Sequence, residues 1–433
     1  MPYNSLQKIY TGSIDIPPNP CVFLSAGEAS GDHYGALIIA ELRARHPHLA
    51  CFGLGGKEME DAGLDRVVRA EDVAHMGITE VIRHAPRVYN SYRRLVASIK
   101  KRHPDVAILI DFPDVNFRLA RELKKLNVPV IYFVSPQLWA WKRSRLRWVQ
   151  QRVNRMMVIF PFEARFYRAR GVDARFVGHP LAELPMPAIS REDYAALHGL
   201  DPAKQWIALL PGSRWKEVTV NLGTMVELTY RFPEGCNYIL PVASTIDREK
   251  LAKEITGHDE WLPTDVALKQ LNIHLVPDAR EALHHARASV VASGTATVQA
   301  AAIGNPFVVV YRVSPLTFWL AKRLVRYPPD IWDPAQVDAS GNLPIAMVNL
   351  VAGRRVVPEL LQDRFTAENI AVALGPLMAD GPERERMVAN LAEVRRALQP
   401  PPGTSSIQQV CDAVEALLTE NESMSGRTST AGV

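Results

Sequence analysis

The chain has 433 residues, 47% of them apolar and 22% charged, with a formal net charge of +4. That balance excludes a disordered, collagen-like or disulfide-scaffold chain and leaves an ordinary soluble globular protein. At roughly 150 residues per domain, the length predicts two to three domains with ample cores.

The N-terminal stretch MPYNSLQKIYTGSIDIPPNP lacks an apolar h-region, so it does not read as a signal peptide, and residues 1–18 read as a disordered extension. From there, short apolar runs alternate with longer 3.6-period stretches. Strands are predicted at Cys21–Ser25, Cys51–Leu54, Val106–Ile110, Val130–Val134 and Met156–Phe160, with helical patterns such as Tyr34–Arg45 and Val115–Lys125 between them. Most of these strands lack polar alternation, as strands covered on both faces do. Repeated strand–helix units imply an α/β fold with a mostly parallel sheet. A Pro-rich break follows at Gly178–Pro180, Pro185 and Pro187, after which the pattern restarts at Trp206–Leu210, Tyr238–Leu240, Ile273–Val276, Ser289–Ala292 and Phe307–Tyr311. The chain therefore divides into an N-terminal domain, 19–185, and a second domain, 186–381. A cleft between two such sheets is the default ligand site. The uncharged run Ala288–Tyr311 is long enough to raise a membrane span, but Gly294, Gly304, Asn305 and Pro306 interrupt it, so strand–loop–helix–strand fits better. Pro328–Pro344 reads as a loop, and 421–433 as a disordered tail. The cysteines, Cys21, Cys51, Cys236 and Cys411, form no CxxC motif and suit a reducing compartment.

Four strand-end loops carry polar groups that chemistry could use. Ser25–Asp32 (SAGEASGD) follows the first strand and opens a helix; it is neither a Walker A loop nor GxGxxG, and Glu28 is unusual for a mere turn. Asp111, at the end of the most apolar strand, is placed to be a general base, with Asp114 as a helix cap; a metal pair of the two is the other reading. Gly212, Ser213 and Arg214 form a turn suited to a phosphate or diphosphate. Ser293, Gly294 and Thr295 form another, whose small residues admit a ligand to the backbone. The last two fall in the second domain and favour it as the nucleotide site.

Two stretches are basic and free of acids: Val81–Pro104, with Arg83, Arg87, Arg93 and Arg94 among seven cations, and Lys142–Arg155, with six. Aromatic residues lie in or beside both, and PLTFWLAKRLVR (315–326) repeats the combination, which fits an anionic membrane surface. No RRM, KH or HTH signature supports nucleic acid. No HExxH, DxD or Ser-His-Asp set is evident, and His179 reads as structural.

Together these motifs resemble the lipid-A-disaccharide synthases, inverting glycosyltransferases of the GT-B type (family 19). The matching stretches run in family order and cover about Val22 to Leu418. They include SAGEASGDHYGA (25–36), MGITEVI (76–82), DFPDVNF (111–117), YFVSPQLWAWKRSR (132–145), FPFEARFY (160–167), FVGHPLAE (176–183), LLPGSRWKEV (209–218), ASGTAT (292–297), YRVSPLTFWLAKRLV (311–325) and NLVAGRRVVPELLQ (349–362). The resemblance implies two Rossmann-like parallel-sheet domains facing across a cleft, with C-terminal helices (382–420) crossing back to the first. It implies transfer of 2,3-diacylglucosamine from UDP-2,3-diacylglucosamine to 2,3-diacylglucosamine 1-phosphate (lipid X), without a metal or other cofactor. Asp111 would be the base and Glu28 would hold sugar or acceptor. Gly212, Ser213, Arg214, Ser293, Gly294, Thr295, Gln299 and Asn349 would bind the UDP-sugar. Ser30, Gly31, Asp32, Met76, Ile78, Val81 and Ile82 would meet the acceptor and its acyl chains. Arg83, Arg87, Arg93 and Arg94 would face the cytoplasmic side of the anionic inner membrane, and a homodimer is expected. Gln299 departs from the pattern, because related enzymes often carry Glu there, and Tyr327–Met347 is longer than in compact relatives. The rival expectations are another GT-B-like UDP-sugar enzyme, such as a UDP-sugar 2-epimerase, and a non-catalytic membrane scaffold.

Overall fold

The computed structural model describes residues 17, 19–72, 78–231, 235–257 and 264–429; the side chains of 78–86, 264–265 and 421–429 fall outside that description. The first half is one parallel sheet of seven strands: β1 (Cys21–Ala26), β2 (Ala50–Gly55), β3 (Asp65–Arg69), β4 (Val106–Ile110), β5 (Val130–Phe133), β6 (Arg155–Val158) and β7 (Ala174–Phe176), in the order β3-β2-β1-β4-β5-β6-β7. The second half is a parallel sheet of six: β8 (Gln205–Leu210), β9 (Cys236–Pro241), β10 (Ile273–Val276), β11 (Ala288–Ala292), β12 (Phe307–Tyr311) and β13 (Glu359–Leu361), in the order β10-β9-β8-β11-β12-β13.

The uninterrupted apolar runs form these strands because helices cover both faces. All of Val106–Ile110 and Phe307–Val310 have zero exposure. Three strands escape the sequence pattern, and all three are edge strands: β3 (DRVVR), β7 (ARF) and β13 (ELL). The uncharged run 288–311 resolves into β11, the helix Thr295–Ile303 and β12. Among the described residues, no helix is long and apolar enough to cross a membrane.

Strand order reverses between β1 and β4 in the first sheet and between β8 and β11 in the second. At such switch points, crossovers leave in opposite directions and a crevice opens beyond the strand ends. All four sequence-predicted loops sit there: 27–32 after β1, 111–114 after β4, 211–214 after β8 and 293–295 after β11.

The chain returns to the first half near Gly178 (φ 90°), where a Cβ would lie 2.6 Å from the Pro400 nitrogen. The His179 amide donates to the Leu398 carbonyl at 2.8 Å there. Helix Pro382–Leu398 packs on helix Thr295–Ile303 of the second half, whereas helix Ser406–Ser429 lies along Ala29–Arg45 of the first. Arg45 pairs with Asp412 at 2.6 Å and Glu415 at 3.2 Å. This last helix runs to Ser429, past Asn421 where the sequence suggests a disordered tail. Thr419–Ser425 contains neither Gly nor Pro, and the helix passes through Gly426 before it ends.

Candidate active site

Between the two sheets lies a cavity of about 430 Å³, lined by three of the four strand-end loops, after β1, β4 and β11, while Arg214 of the loop after β8 reaches Glu28 of its wall at 3.5 Å. Its walls include Glu28, Ser30, Tyr34 and Asp111 from the first half and Gly294, Thr295, Val298 and Met347 from the second.

Asp111 takes a backbone conformation that L residues seldom adopt. Both Asp111 and Phe112 have φ of 45°. Strain of that kind persists only where the surroundings over-determine it. Here a buried network does so. Asn116 Nδ2 donates to the carbonyls of Asp111 (2.8 Å) and Ile110 (3.1 Å), while Ser25 Oγ donates to Asn116 Oδ1 at 2.6 Å. The Tyr132 hydroxyl donates to the Asp111 carbonyl at 2.5 Å. Gly27 has no Cβ because one would stand 2.5 Å from the Phe112 ring. Burial, and then the Glu28 carboxylate, push the Asp111 carboxyl up to about 6. An ionised carboxylate with that basicity is a competent general base near neutral pH.

Asp114 does not cap the following helix. Phe112 is its N-cap, and Asp114 pairs with Arg145 at 2.7 Å. Asp32, expected at the acceptor, instead holds the N-terminus of helix Lys57–Asp61. Its carboxylate accepts from the amides of Gly56 (2.7 Å), Glu58 (3.1 Å) and Met59 (3.2 Å). Gly31 packs against Ala26 and Ile110, and Ser30 faces the cavity. Met76 lies outside the described residues, as do the side chains of Ile78, Val81, Ile82 and Arg83. Arg87, Arg93 and Arg94 are exposed on helix Ile78–Arg102.

In the second half, Gly212 adopts φ 132°, and a Cβ there would strike the Glu217 side chain at 2.6 Å. Glu217 Oε2 accepts from the Ser213 amide at 3.2 Å, so an internal carboxylate rests on the N-terminus of helix Trp215–Glu227. Helix N-termini favour anions through free amides and the helix dipole. Arg214 is exposed and stands between two carboxylates, Glu217 at 3.4 Å and, across the cleft, Glu28 at 3.5 Å. Ser293 donates its amide to the Val310 carbonyl, which leaves Gly294 and Thr295 facing the cavity with open space around Gly294. Gln299 is half-buried one helical turn beyond Thr295.

Asn349 does not present itself to the cleft. It is fully buried, and each hydrogen-bonding position is taken: Nδ2 donates to the Val357 carbonyl (3.1 Å) and Glu359 Oε1 (2.9 Å), and Oδ1 accepts from the amides of Val356 (2.7 Å) and Val357 (3.0 Å). It ties helix Met347–Ala352 to β13 instead of holding donor.

Several cavity residues escaped the sequence reading. Ser135, Gln137, Trp141, Lys142 and Arg145 form one wall. Glu163, from FPFEARFY, lines the cavity while 1% exposed. A glutamate inside an aromatic run was the available signal. His179 also lines it; its Nδ1 accepts from the Leu181 amide at 3.2 Å, and burial holds the ring neutral, with a pKa down to about 4.

Two facing parallel-sheet domains with a ligand-sized cavity at both switch points define the GT-B class of glycosyltransferase architecture. A solved calicheamicin glycosyltransferase shares this fold at TM-score 0.57 and 16% identity, covering 93% of this chain and 99% of that one. So does a UDP-N-acetylglucosamine 2-epimerase, at TM-score 0.53 and 11% identity, covering 90% and 94%. Fold alone therefore does not separate transferase from epimerase. Sequence does. Residues 22–410 match the family model for lipid-A-disaccharide synthetase. The lipid-A-disaccharide synthase of Acidobacterium capsulatum is 52% identical over 413 residues, covering 94% of this chain and 98% of that protein. The chain belongs to the lipid-A-disaccharide synthase family and is a glycosyltransferase.

Proposed function

We propose that this enzyme transfers 2,3-diacylglucosamine from UDP-2,3-diacylglucosamine to lipid X, forming the β(1→6) tetraacyl disaccharide 1-phosphate and UDP. The observation that carries the mechanism is Asp111, a strained, partly desolvated carboxylate sharing one cavity with the Gly294–Thr295 loop. Asp111 accepts the proton of the acceptor 6-hydroxyl as that oxygen attacks the anomeric carbon from the face opposite the nucleotide. The carbon–oxygen bond to the diphosphate breaks, its electron pair leaves with UDP, and the configuration inverts. Arg214 and the amides at the start of helix Trp215–Glu227 receive the charge that develops on the diphosphate. No metal or other cofactor enters this scheme. Lys142 and Arg145, cations of the cavity wall, would receive the acceptor's 1-phosphate in this scheme, Arg145 exchanging Asp114 for it.

The reading extends to the membrane. Helix Pro315–Leu324 has no buried residue and exposes Leu316, Trp319, Leu320 and Leu324 beside Lys322 and Arg323. Its end docks on the other aromatic–basic segment: the Arg326 amide donates to the Ala140 carbonyl at 3.1 Å, and Arg143 donates to the Arg326 carbonyl. We place this face, with Arg87, Arg93 and Arg94, against the anionic cytoplasmic surface of the inner membrane. A homodimer belongs to the same reading, checked by light scattering for twice the mass of one chain.

Incubating the protein with both substrates in EDTA and reading products by mass spectrometry tests the reaction. Disaccharide 1-phosphate with UDP supports it; UDP-N-acetylglucosamine turnover without lipid acceptor, and no disaccharide, would replace it with the epimerase.

A further inference from the structure

Glu163 is a buried carboxyl with no cation bonded to it among the described residues. It is 1% exposed in helix Pro161–Arg168. Its Oε1 accepts from Ser135 Oγ at 2.9 Å and from Trp139 Nε1 at 3.1 Å, and its Oε2 has no partner among the described residues. An ionised carboxylate in that setting is costly, whereas a neutral acid fits: the carbonyl oxygen takes both donors and the other oxygen keeps the proton. The two donors bracket Ser135–Leu138, four consecutive residues of the cavity wall. From the same helix, the Tyr167 hydroxyl donates to the Pro136 carbonyl at 3.2 Å. The wall also contains Val134 at φ 60° and continues to Lys142 at φ 53°, so its backbone needs holding.

We propose that Glu163 is a positioning residue that, as a neutral carboxylic acid, braces the Ser135–Trp139 wall so that the acceptor sugar is held for Asp111. The proposal rests on the transferase reading above. The groups around Glu163 agree with a neutral state. Asp111, from the β4 turn, opposes its ionisation, and the Tyr167 phenol is itself pushed up by burial. His179, from the next turn, is neutral. Arg145 is engaged by Asp114, and Arg155 and Arg175, on the adjoining strands, pair with Glu420 and Asp173. The packed helix Met347–Ala352 carries no titratable residue. Burial, above all, pushes the Glu163 carboxyl up to about 8.

Glu163→Gln keeps an acceptor for Ser135 and Trp139 and mimics the neutral acid. At pH 7 its kcat and its KM for lipid X should stay within about threefold of wild type, because both hydrogen bonds survive. At pH 9 wild-type kcat/KM should have fallen roughly tenfold as the acid ionises, while the Gln variant stays flat. Glu163→Ala should raise the acceptor KM about tenfold by leaving two buried donors unmet; if it does not fold, the Gln variant carries the test. A drop beyond tenfold for Glu163→Gln at pH 7, or an unchanged alkaline limb, overturns the proposal. A second measurement needs no substrate: carbon-13 NMR of glutamate-labelled protein. One carboxyl signal, absent from Glu163→Gln, should titrate near pH 8. Titration below pH 5 would overturn the neutral acid whether or not the transferase reading stands.

Discussion

The charge on Asp111 couples catalysis and stability with opposite signs. The base works when ionised, so kcat/KM should rise through about pH 6 and hold a plateau up to the alkaline limb set by Glu163 near pH 8. Its folded pKa lies above the ordinary value of 3.8, so the stability it contributes is complete below that value and is lost as pH rises through 6. Asp111→Asn should therefore cut turnover at least ~100-fold, the usual scale for losing a general base. It should also stabilise the protein at pH 7 by on the order of 1–2 kcal/mol, because no charge is buried. Calorimetry and a steady-state pH series check both, and a variant that is both active and no more stable would remove Asp111 from the role. Its neighbour Gly27 makes a steric prediction. In Gly27→Ala the new methyl meets the Phe112 ring at 2.5 Å. Phe112 must move and carry the Asp111 turn with it. Misplacement of that kind should cost about 100-fold in kcat, with UDP affinity unchanged by titration calorimetry.

The β1 and β4 ends work as one element because Ser25 and Asn116 join them. Both are fully buried, and one amide serves the turn carbonyls that hold Asp111 at positive φ. Asn116→Ala should cost about 1–3 kcal/mol for the orphaned groups and a larger share of kcat, as the strained turn relaxes. Asn116→Asp restores the acceptor but not the donor, so it should not rescue; rescue, read in the same unfolding and rate assays, would show that the donor is idle. None of this was legible in DFPDVNF, where Asp114 reads as the cap and Asn116 carries no assigned role. Sequence shows that a polar residue is present but not which partners satisfy it. For the same reason Asp32 and Asn349 looked like ligand residues, and the fold uses them to pin a helix end and a strand. The central strands were legible because burial on both faces leaves an unbroken apolar run. The edge strands β3 and β7 were not, because one side meets solvent and admits Arg and Asp. The four switch-point loops were legible because tight strand-to-helix turns demand small residues. Glu163 was not, since its neutrality follows only from burial.

The two domains meet through Glu28 and Arg214, an ion pair across the cleft at 3.5 Å with side chains 46% and 69% exposed. Solvent screens a pair so exposed, and its contribution to stability is close to nothing. It is better understood as a competition: Arg214 is shared between Glu28 and Glu217, and a diphosphate arriving between the domains offers more charge and two-pronged geometry. Four consequences separate this from a structural latch. Arg214→Ala should weaken UDP binding at least ~10-fold, the loss of a charge-assisted contact, yet leave the melting temperature where it was. Glu28→Gln should bind UDP as tightly as wild type or up to about twofold tighter, because one competitor for the guanidinium is gone. The same substitution should lower kcat if Glu28 holds the sugar. It should also shift the acid limb of kcat/KM below pH 6, because the Glu28 charge is the second cause of the raised Asp111 pKa. A Glu28→Gln variant that melts several degrees lower and binds UDP more weakly would make the pair a latch, and the cleft would then depend on it to stay closed.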